Sequence, residues 1–151
     1  MTFEHSVDVR TAAPTAFAFT QDYERRLLWD PFLRSAVLLP PATHAAVGAR
    51  AYCEARGGIG METEYITFRP PTVAAVRMTR GPWFLATFAG SWRFRELGPG
   101  WTRVTFRYRL LARPAWLARL LTPALAWVLR RGTHRRLLAL QAALNTHDHA
   151  D

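Results

Sequence analysis

The stretch "WFLATFAGSWRFRELGPGWTRVTFRYRLLA", Trp83 to Ala112, alternates apolar and polar residues on both sides of a Leu-Gly-Pro-Gly turn. In its second arm Arg103, Arg107 and Arg109 are interleaved with Val104, Phe106, Tyr108 and Leu110. Successive side chains of a strand point to opposite faces, so this period of two gathers the apolar set on one face and leaves the arginines in water. In the first arm the same rule sends Phe88, Trp92 and Phe94 inward, beside Phe106 and Tyr108. Gly and Pro between the arms supply a tight reversal, and the pair reads as an antiparallel hairpin with one wet face. A bulge at Gly90 would reverse part of this assignment.

Upstream, "FLRSAVLL", "GARAYCEAR", "GMETEYITF" and "VAAVRMT" repeat the alternation between turn-forming segments "PPATHAAVG", "GGIG", "RPPT" and "RGP". Short reversals between consecutive strands predict an antiparallel meander. Its inward positions include Thr63, Tyr65 and Met78. The series Ala49, Ala51, Cys53 and Ala55 is small throughout, opposite Arg50, Tyr52, Glu54 and Arg56, and small inward residues leave space. The chain opens with a strand, "FEHSVDV", whose inward set is Phe3, His5, Val7 and Val9. "APTAFAF" begins a short helix with Pro14 in its first turn, where a missing N–H is harmless. "DYERRLL" forms a second short helix, stopped at Asp30 because Pro31 disfavours the helical conformation before it. Asp30 is expected to cap that end or accept a nearby backbone N–H, with Trp29 beneath the short helices.

After Arg113 the period changes. Pro114 to about Asn145 reads as one long helix with Leu129, Thr133, Leu137, Leu140 and Leu144 on a single face, and Pro123 is predicted to kink or break it. Gly132 marks either a close approach or a deliberate gap. The segment "WLARLLTPALAWVL" is apolar nearly all round, which suits burial against the short helices, a dimer contact or lipid.

A chain of 151 residues suits one domain, 1–151. Half the residues are hydrophobic, no apolar run is long enough to span a bilayer, and the N-terminus lacks the order of a signal peptide, so a cytoplasmic, soluble protein is expected. The single cysteine, Cys53, excludes an internal disulfide framework. The formal charge is +9, and all 20 basic residues are arginine, a preference attributed to genome composition before function. Only "RRGTHRR" is dense. On a helix Arg130, Arg131, Arg135 and Arg136 form either an ordinary wet surface or a stripe able to meet an anionic membrane, a protein or RNA. His5, His44, His134, His147 and His149 show no metal-ligand spacing outside the tail, and no cofactor or metal is expected. Glu62 and Glu64 share a strand face with Arg77, Arg93 and Arg107, which reads as a solvent-side ion-pair ladder. The Gly-containing turns lie between strands, where a phosphate cradle is not expected.

From "HSVDVRTAAPTAFAFTQDYERRLLWDPFL" through "GSWRF" and "GWTRVTFRYRL" to "RRLLALQAAL", the order of elements resembles the START-like (SRPBCC) superfamily, in its polyketide cyclase/dehydrase and lipid-transport branch. The resemblance implies an α+β helix-grip (START/Bet v 1-like) fold. A curved antiparallel sheet of about seven strands would wrap a long C-terminal helix, with two short helices after the first strand. It further implies a hydrophobic or aromatic ligand, such as a lipid, quinone or polyketide-like compound, held between sheet and helix. The expected lining is His5, Trp29, Cys53, Thr63, Tyr65, Met78, Phe88, Trp92, Phe94, Phe106, Tyr108 and Thr133, apolar walls with sparse polar groups. Cyclase or dehydrase activity would leave little signature, and His5, Tyr65, Tyr108 and His134 are the groups able to serve it. Two alternatives stay open: a quinone-chaperone or ribosome-directed partner-binding protein of the same superfamily, and a peripheral membrane protein using the Arg-rich helix.

Overall fold

The alternation becomes one seven-stranded sheet in the structure, a computed structural model that describes residues 2–147 and side chains as far as Asn145. His149, and the side chain of His147, lie outside the described residues. In chain order the elements are β1 (Thr2–Val9), α1 (Ala13–Thr20), α2 (Arg26–Trp29), β2 (Leu33–Leu38), β3 (Arg50–Ala55), β4 (Gly60–Arg69), β5 (Val73–Arg80), β6 (Leu85–Gly98), β7 (Trp101–Ala112) and α3 (Ala115–His147). The spatial order is β1-β7-β6-β5-β4-β3-β2 and every neighbouring pair is antiparallel. The sheet curls into a half-barrel with α3 as its companion, the helix-grip arrangement.

The β6–β7 pairing sets the inner face. Trp92 stands opposite Phe106, Phe94 opposite Val104 and Gly90 opposite Tyr108. Register shifts fall at Leu85/Thr87 and Glu96/Gly98, at the two ends of the ladder, and not at Gly90. The inward set Phe88, Trp92 and Phe94 therefore keeps its phase, and Val104, Phe106, Tyr108 and Leu110 are buried while Arg103, Arg107 and Arg109 are exposed. On the outer face Arg103 Nε meets Asp8 Oδ1 at 2.9 Å and Arg77 Nη2 meets Glu64 Oε2 at 3.4 Å, while Glu62 accepts from the Thr79 hydroxyl. Such exposed pairs contribute about 0–1 kcal/mol each.

The short helices cross from one sheet edge to the other. Proline in the first turn of α1 suits a position whose N–H has no helical partner. At its other end Thr20 donates its hydroxyl to the Phe17 carbonyl, 3.0 Å. Ala13, Ala16, Phe17 and Thr20 face the core. The four-residue α2 ends where Asp30 turns extended (φ −87°, ψ 106°) ahead of Pro31, as the sequence predicts.

The long helix runs on through Pro123, so of the kink or break expected there the break does not occur. Pro123 is exposed, as is Arg119 one turn earlier, so the carbonyl freed by the missing N–H can reach water. The two halves of α3 are held differently. Thr133, Leu137, Leu140 and Leu144 are buried, and Gln141 Nε2 donates to the Asp8 carbonyl at 2.8 Å while Asn145 Oδ1 accepts from the Arg10 N–H at 2.9 Å. From 115 to 132, by contrast, no residue is fully buried. Leu117, Leu121, Leu125 and Leu129 are half-buried along one side.

Gly132 lies where the halves meet, and a Cβ there would come within 2.7 Å of the Phe32 ring. Close approach is thus the reason for the glycine. Gly132→Ala should lower the melting temperature, because overpacking of about 1–3 kcal/mol outweighs a helix-propensity gain of about 1 kcal/mol. A thermal melt in which the alanine variant is the more stable would show that Phe32 can yield without strain.

Candidate functional site

Inside the half-barrel the aromatic residues form a connected wall. Trp92 meets Phe106 at 4.8 Å between ring centroids, Phe94 at 6.5 Å and Trp29 at 6.3 Å. Phe106 meets Tyr108 at 5.7 Å, and Tyr108 stacks on Phe88 at 6.1 Å. Trp29 is held from the other side by Phe19, 6.0 Å away and nearly parallel. Six residues expected from alternation, or from their place after the short helices, thus share one surface.

At the end of this wall stands a buried charge cluster. Asp30 is 1% exposed. Its Oδ2 lies 2.9 Å from Arg26 Nε and 3.0 Å from Arg136 Nε, and its Oδ1 accepts the Phe32 N–H at 3.0 Å. The backbone contact is the one predicted for Asp30. The arginines are the larger finding, because both guanidiniums also lie over rings: Arg26 over Trp29 and Trp92 (5.1 and 5.3 Å), Arg136 over Phe32 and Phe106 (4.8 and 5.5 Å). Arg26 donates further to the Thr20 carbonyl at 2.9 Å. Arg136 Nε faces the carboxylate off the hydrogen-bond line, so that contact is chiefly coulombic.

Arg136 corrects the expectation that it belongs to an external stripe with Arg130, Arg131 and Arg135. It is 8% exposed and turned inward. Its position carries the signal: Thr133, Arg136, Leu137 and Leu140 follow the spacing of one helical face, so the buried stripe passes through the basic cluster. Arg26 gave no comparable signal within "DYERRLL" because its neighbour Arg25 is exposed and the helix is a single turn.

Two cations against one carboxylate leave a net positive charge in the interior. Burial pushes the Asp30 carboxyl up, but Arg136, Arg26 and the Phe32 N–H outweigh it and hold the group below its ordinary value. Half-buried Cys53 is near the same cluster, and burial raises its thiol even though Arg26 and Arg136 oppose the rise. Burial also raises Tyr108, partly offset by the Thr133 hydroxyl, Arg130 and Arg136. Tyr65 belongs to a separate chain of hydroxyls: it donates to Gln21 Oε1 at 2.7 Å and therefore accepts from Tyr23 at 2.9 Å. Burial and Tyr23 drive its phenol far above the normal range. His5 faces His134 at 6.3 Å, and burial, His134 and Arg130 all lower it. Thr63 and Met78 pair across β4 and β5 on the inner face, away from the cluster in sequence register.

A cleft of about 570 Å³ lies elsewhere, between α1, the β2–β3 connection and the β4–β5 turn. Phe17, Ala18, Tyr23, His44, Leu38 and Phe68 are among its lining. None of the twelve residues expected to contact a ligand borders it.

The family model described as polyketide cyclase/dehydrase and lipid transport matches residues 1–145. Among solved structures, the aromatase/cyclase ZhuI of Streptomyces sp. R1128 superposes with a TM-score of 0.83 at 17% identity, covering 99% of this chain and 96% of that one. The di-domain aromatase/cyclase StfQ of the steffimycin pathway gives 0.80 at 15% identity, over 99% of this chain and 52% of the other. A START superfamily protein of Mycobacterium smegmatis gives 0.68 at 14% identity, over 92% and 98%. At these identities the likeness is one of fold. No curated protein sequence matches the chain.

Removing the carboxylate tests the cluster. Asp30→Asn leaves two buried guanidiniums without a counter-charge and should cost about 3–5 kcal/mol in urea denaturation at neutral pH. Because the folded-state value of Asp30 is depressed, its contribution is present above the unfolded value near pH 4 and is lost as pH falls through the folded value. The asparagine variant should therefore lose less stability than the wild type between pH 5 and pH 3. Equal losses in the two proteins would mean that Asp30 ionises alike in both states.

Proposed function

Because the chain belongs to the polyketide cyclase/dehydrase and lipid-transport family, we propose that it binds a planar, largely apolar small molecule carrying an anionic or strongly accepting oxygen, between the inner face of the sheet and α3. One observation carries this reading. The buried Trp29 Nε1 has no hydrogen-bond partner among the described residues, Tyr108 Oη has only the Thr133 hydroxyl beside it, and Arg136 shares Asp30 with Arg26; all three lie against the Trp92–Phe106 wall. A buried donor left unpaired costs about 1–3 kcal/mol, so the Trp29 N–H, with a net positive charge beside it, suits an acceptor supplied from outside. Aromatic rings would take the ligand body by stacking, and Arg136 would take its oxygen.

The neighbouring chemistry favours holding and orienting over proton transfer. Cys53, Tyr65 and Tyr108 are all pushed away from ionising at neutral pH, and Asp30 is an anion committed to two arginines. Any cyclisation would then come from the conformation imposed on a reactive ligand, with water excluded, and Tyr108 would act only as a donor to a developing oxyanion. Entry is easiest where the core is least covered, at Met78 and Phe88 of the sheet and Leu125 and Leu129 of α3, which are only partly buried.

Isothermal titration with naphthoate, and with naphthalene as its uncharged counterpart, tests the proposal. The wild type should prefer naphthoate, and Arg136→Met should weaken naphthoate about tenfold while leaving naphthalene unchanged, the loss expected of one charge-assisted hydrogen bond. Methionine leaves Asp30 balanced by Arg26, so the variant should remain folded. Equal binding of the two compounds by both proteins would remove the anion site.

A further inference from the structure

The first half of α3 has an outer face as distinctive as its inner one. Trp116, Leu120 and Trp127 are 71%, 72% and 61% exposed. With Pro123, also exposed, they follow i, i+4, i+7, i+11 spacing and form one stripe along the helix. Arg119 and Arg130 flank it on one side and Arg131, which lies over the Trp127 ring at 5.4 Å, on the other. A further exposed tryptophan, Trp83, is tied to the start of the helix by the Arg113 Nε bond to its carbonyl, 2.6 Å. An exposed patch of this kind marks a contact surface.

Charge identifies what it contacts. From Ala115 to Arg131 the charged side chains are Arg119, Arg130 and Arg131, all exposed, with Arg113 just ahead of the helix and no carboxylate among them. A protein partner of ordinary composition gains little from so one-sided a surface, whereas an anionic bilayer offers both what the arginines need and an interface in which tryptophan is at home. Indole rings favour the boundary between headgroups and acyl chains, with the N–H toward the wet side, and flanking arginines meet lipid phosphates. Among the described residues no helix is long and apolar enough to cross a membrane, which leaves this one to lie in the interface plane. We infer that the outer face of α3, Trp116 to Arg131, docks the protein on an anionic lipid surface.

Flotation with phosphatidylcholine vesicles, with and without phosphatidylglycerol, tests this. The wild type should float with the anionic vesicles, with a blue shift of tryptophan emission, and remain behind with the neutral ones. Raising salt from 0.1 M to 1 M shortens screening from about 10 Å to about 3 Å and should weaken the binding strongly. The triple variant Trp116→Ser/Leu120→Ser/Trp127→Ser changes only exposed side chains, so its melting temperature should hold while vesicle binding falls tenfold or more. Arg119→Gln/Arg131→Gln should fall in the same direction and lose its salt dependence. Failure of the wild type to bind anionic vesicles, or unchanged binding by the triple variant, overturns the inference. So does a dimer in sedimentation velocity that the triple substitution dissociates, since the stripe would then be covered by a second copy.

Discussion

A single carboxylate organises this molecule. Asp30 joins its close neighbours in sequence, Arg26 of α2 and the Phe32 N–H at the entrance to β2, to Arg136 of α3, far along the chain. Each contact fixes an orientation that another part of the interior uses. Arg26 and Trp29 stack beneath the short helices, Arg136 lies across Phe32 and Phe106, and Gly132 lets the Phe32 ring sit against the helix. Charges in an interior contribute little net stability when balanced and cost much when unbalanced. This one is unbalanced by a positive charge. A fully apolar junction could hold the same elements together at lower cost.

The fold was largely legible because its evidence is local. In β6 and β7 the alternation of Trp92 and Phe94 with arginines, and of Val104 to Leu110 with arginines, gives both strand phase and the wet face within a few residues. Prolines and glycines at the turns do the rest. The site was legible only in part. Trp92, Phe106 and Tyr108 follow from phase, and the Asp30 backbone contact follows from Pro31. The ion pairs do not, since Arg136 is separated from Asp30 by most of the chain and no periodicity reports a contact between elements. Even so, Arg136 occupies an apolar-face position among leucines, and that anomaly was readable. That α3 would not break at Pro123 could not be read, because a proline's cost depends on whether the freed carbonyl meets water, which the local sequence does not say.

Two halves of one helix therefore serve different ends. Residues from Thr133 onward are fastened to β1 by apolar burial and by Gln141 and Asn145, which makes that half part of the core. Residues before Gly132 lean on the sheet through a single half-buried leucine row. Stability in proteins is unevenly distributed, and regions with few buried contacts open at lower free energy than the core. Leu125 and Leu129 of this looser half, like Met78 and Phe88 of the sheet, are only partly buried where they pack on the core.

The strand order also has a consequence for how the chain is made. From β3 to β7 each strand pairs with the one made just before it, so each can join as it emerges from the ribosome. β1 cannot. Its partner is β7, and the Ser6–Thr105 contact spans 99 positions. During synthesis Phe3, Val7 and Val9 must wait beside a growing meander whose own last strand does not yet exist, with an edge open to any extended segment nearby. Glu4 and Asp8 on the other face of β1 give that waiting strand the charge that discourages such pairing. The first strand of the sheet is thus among the last to be secured, and the sheet is complete only once its final hairpin has left the tunnel.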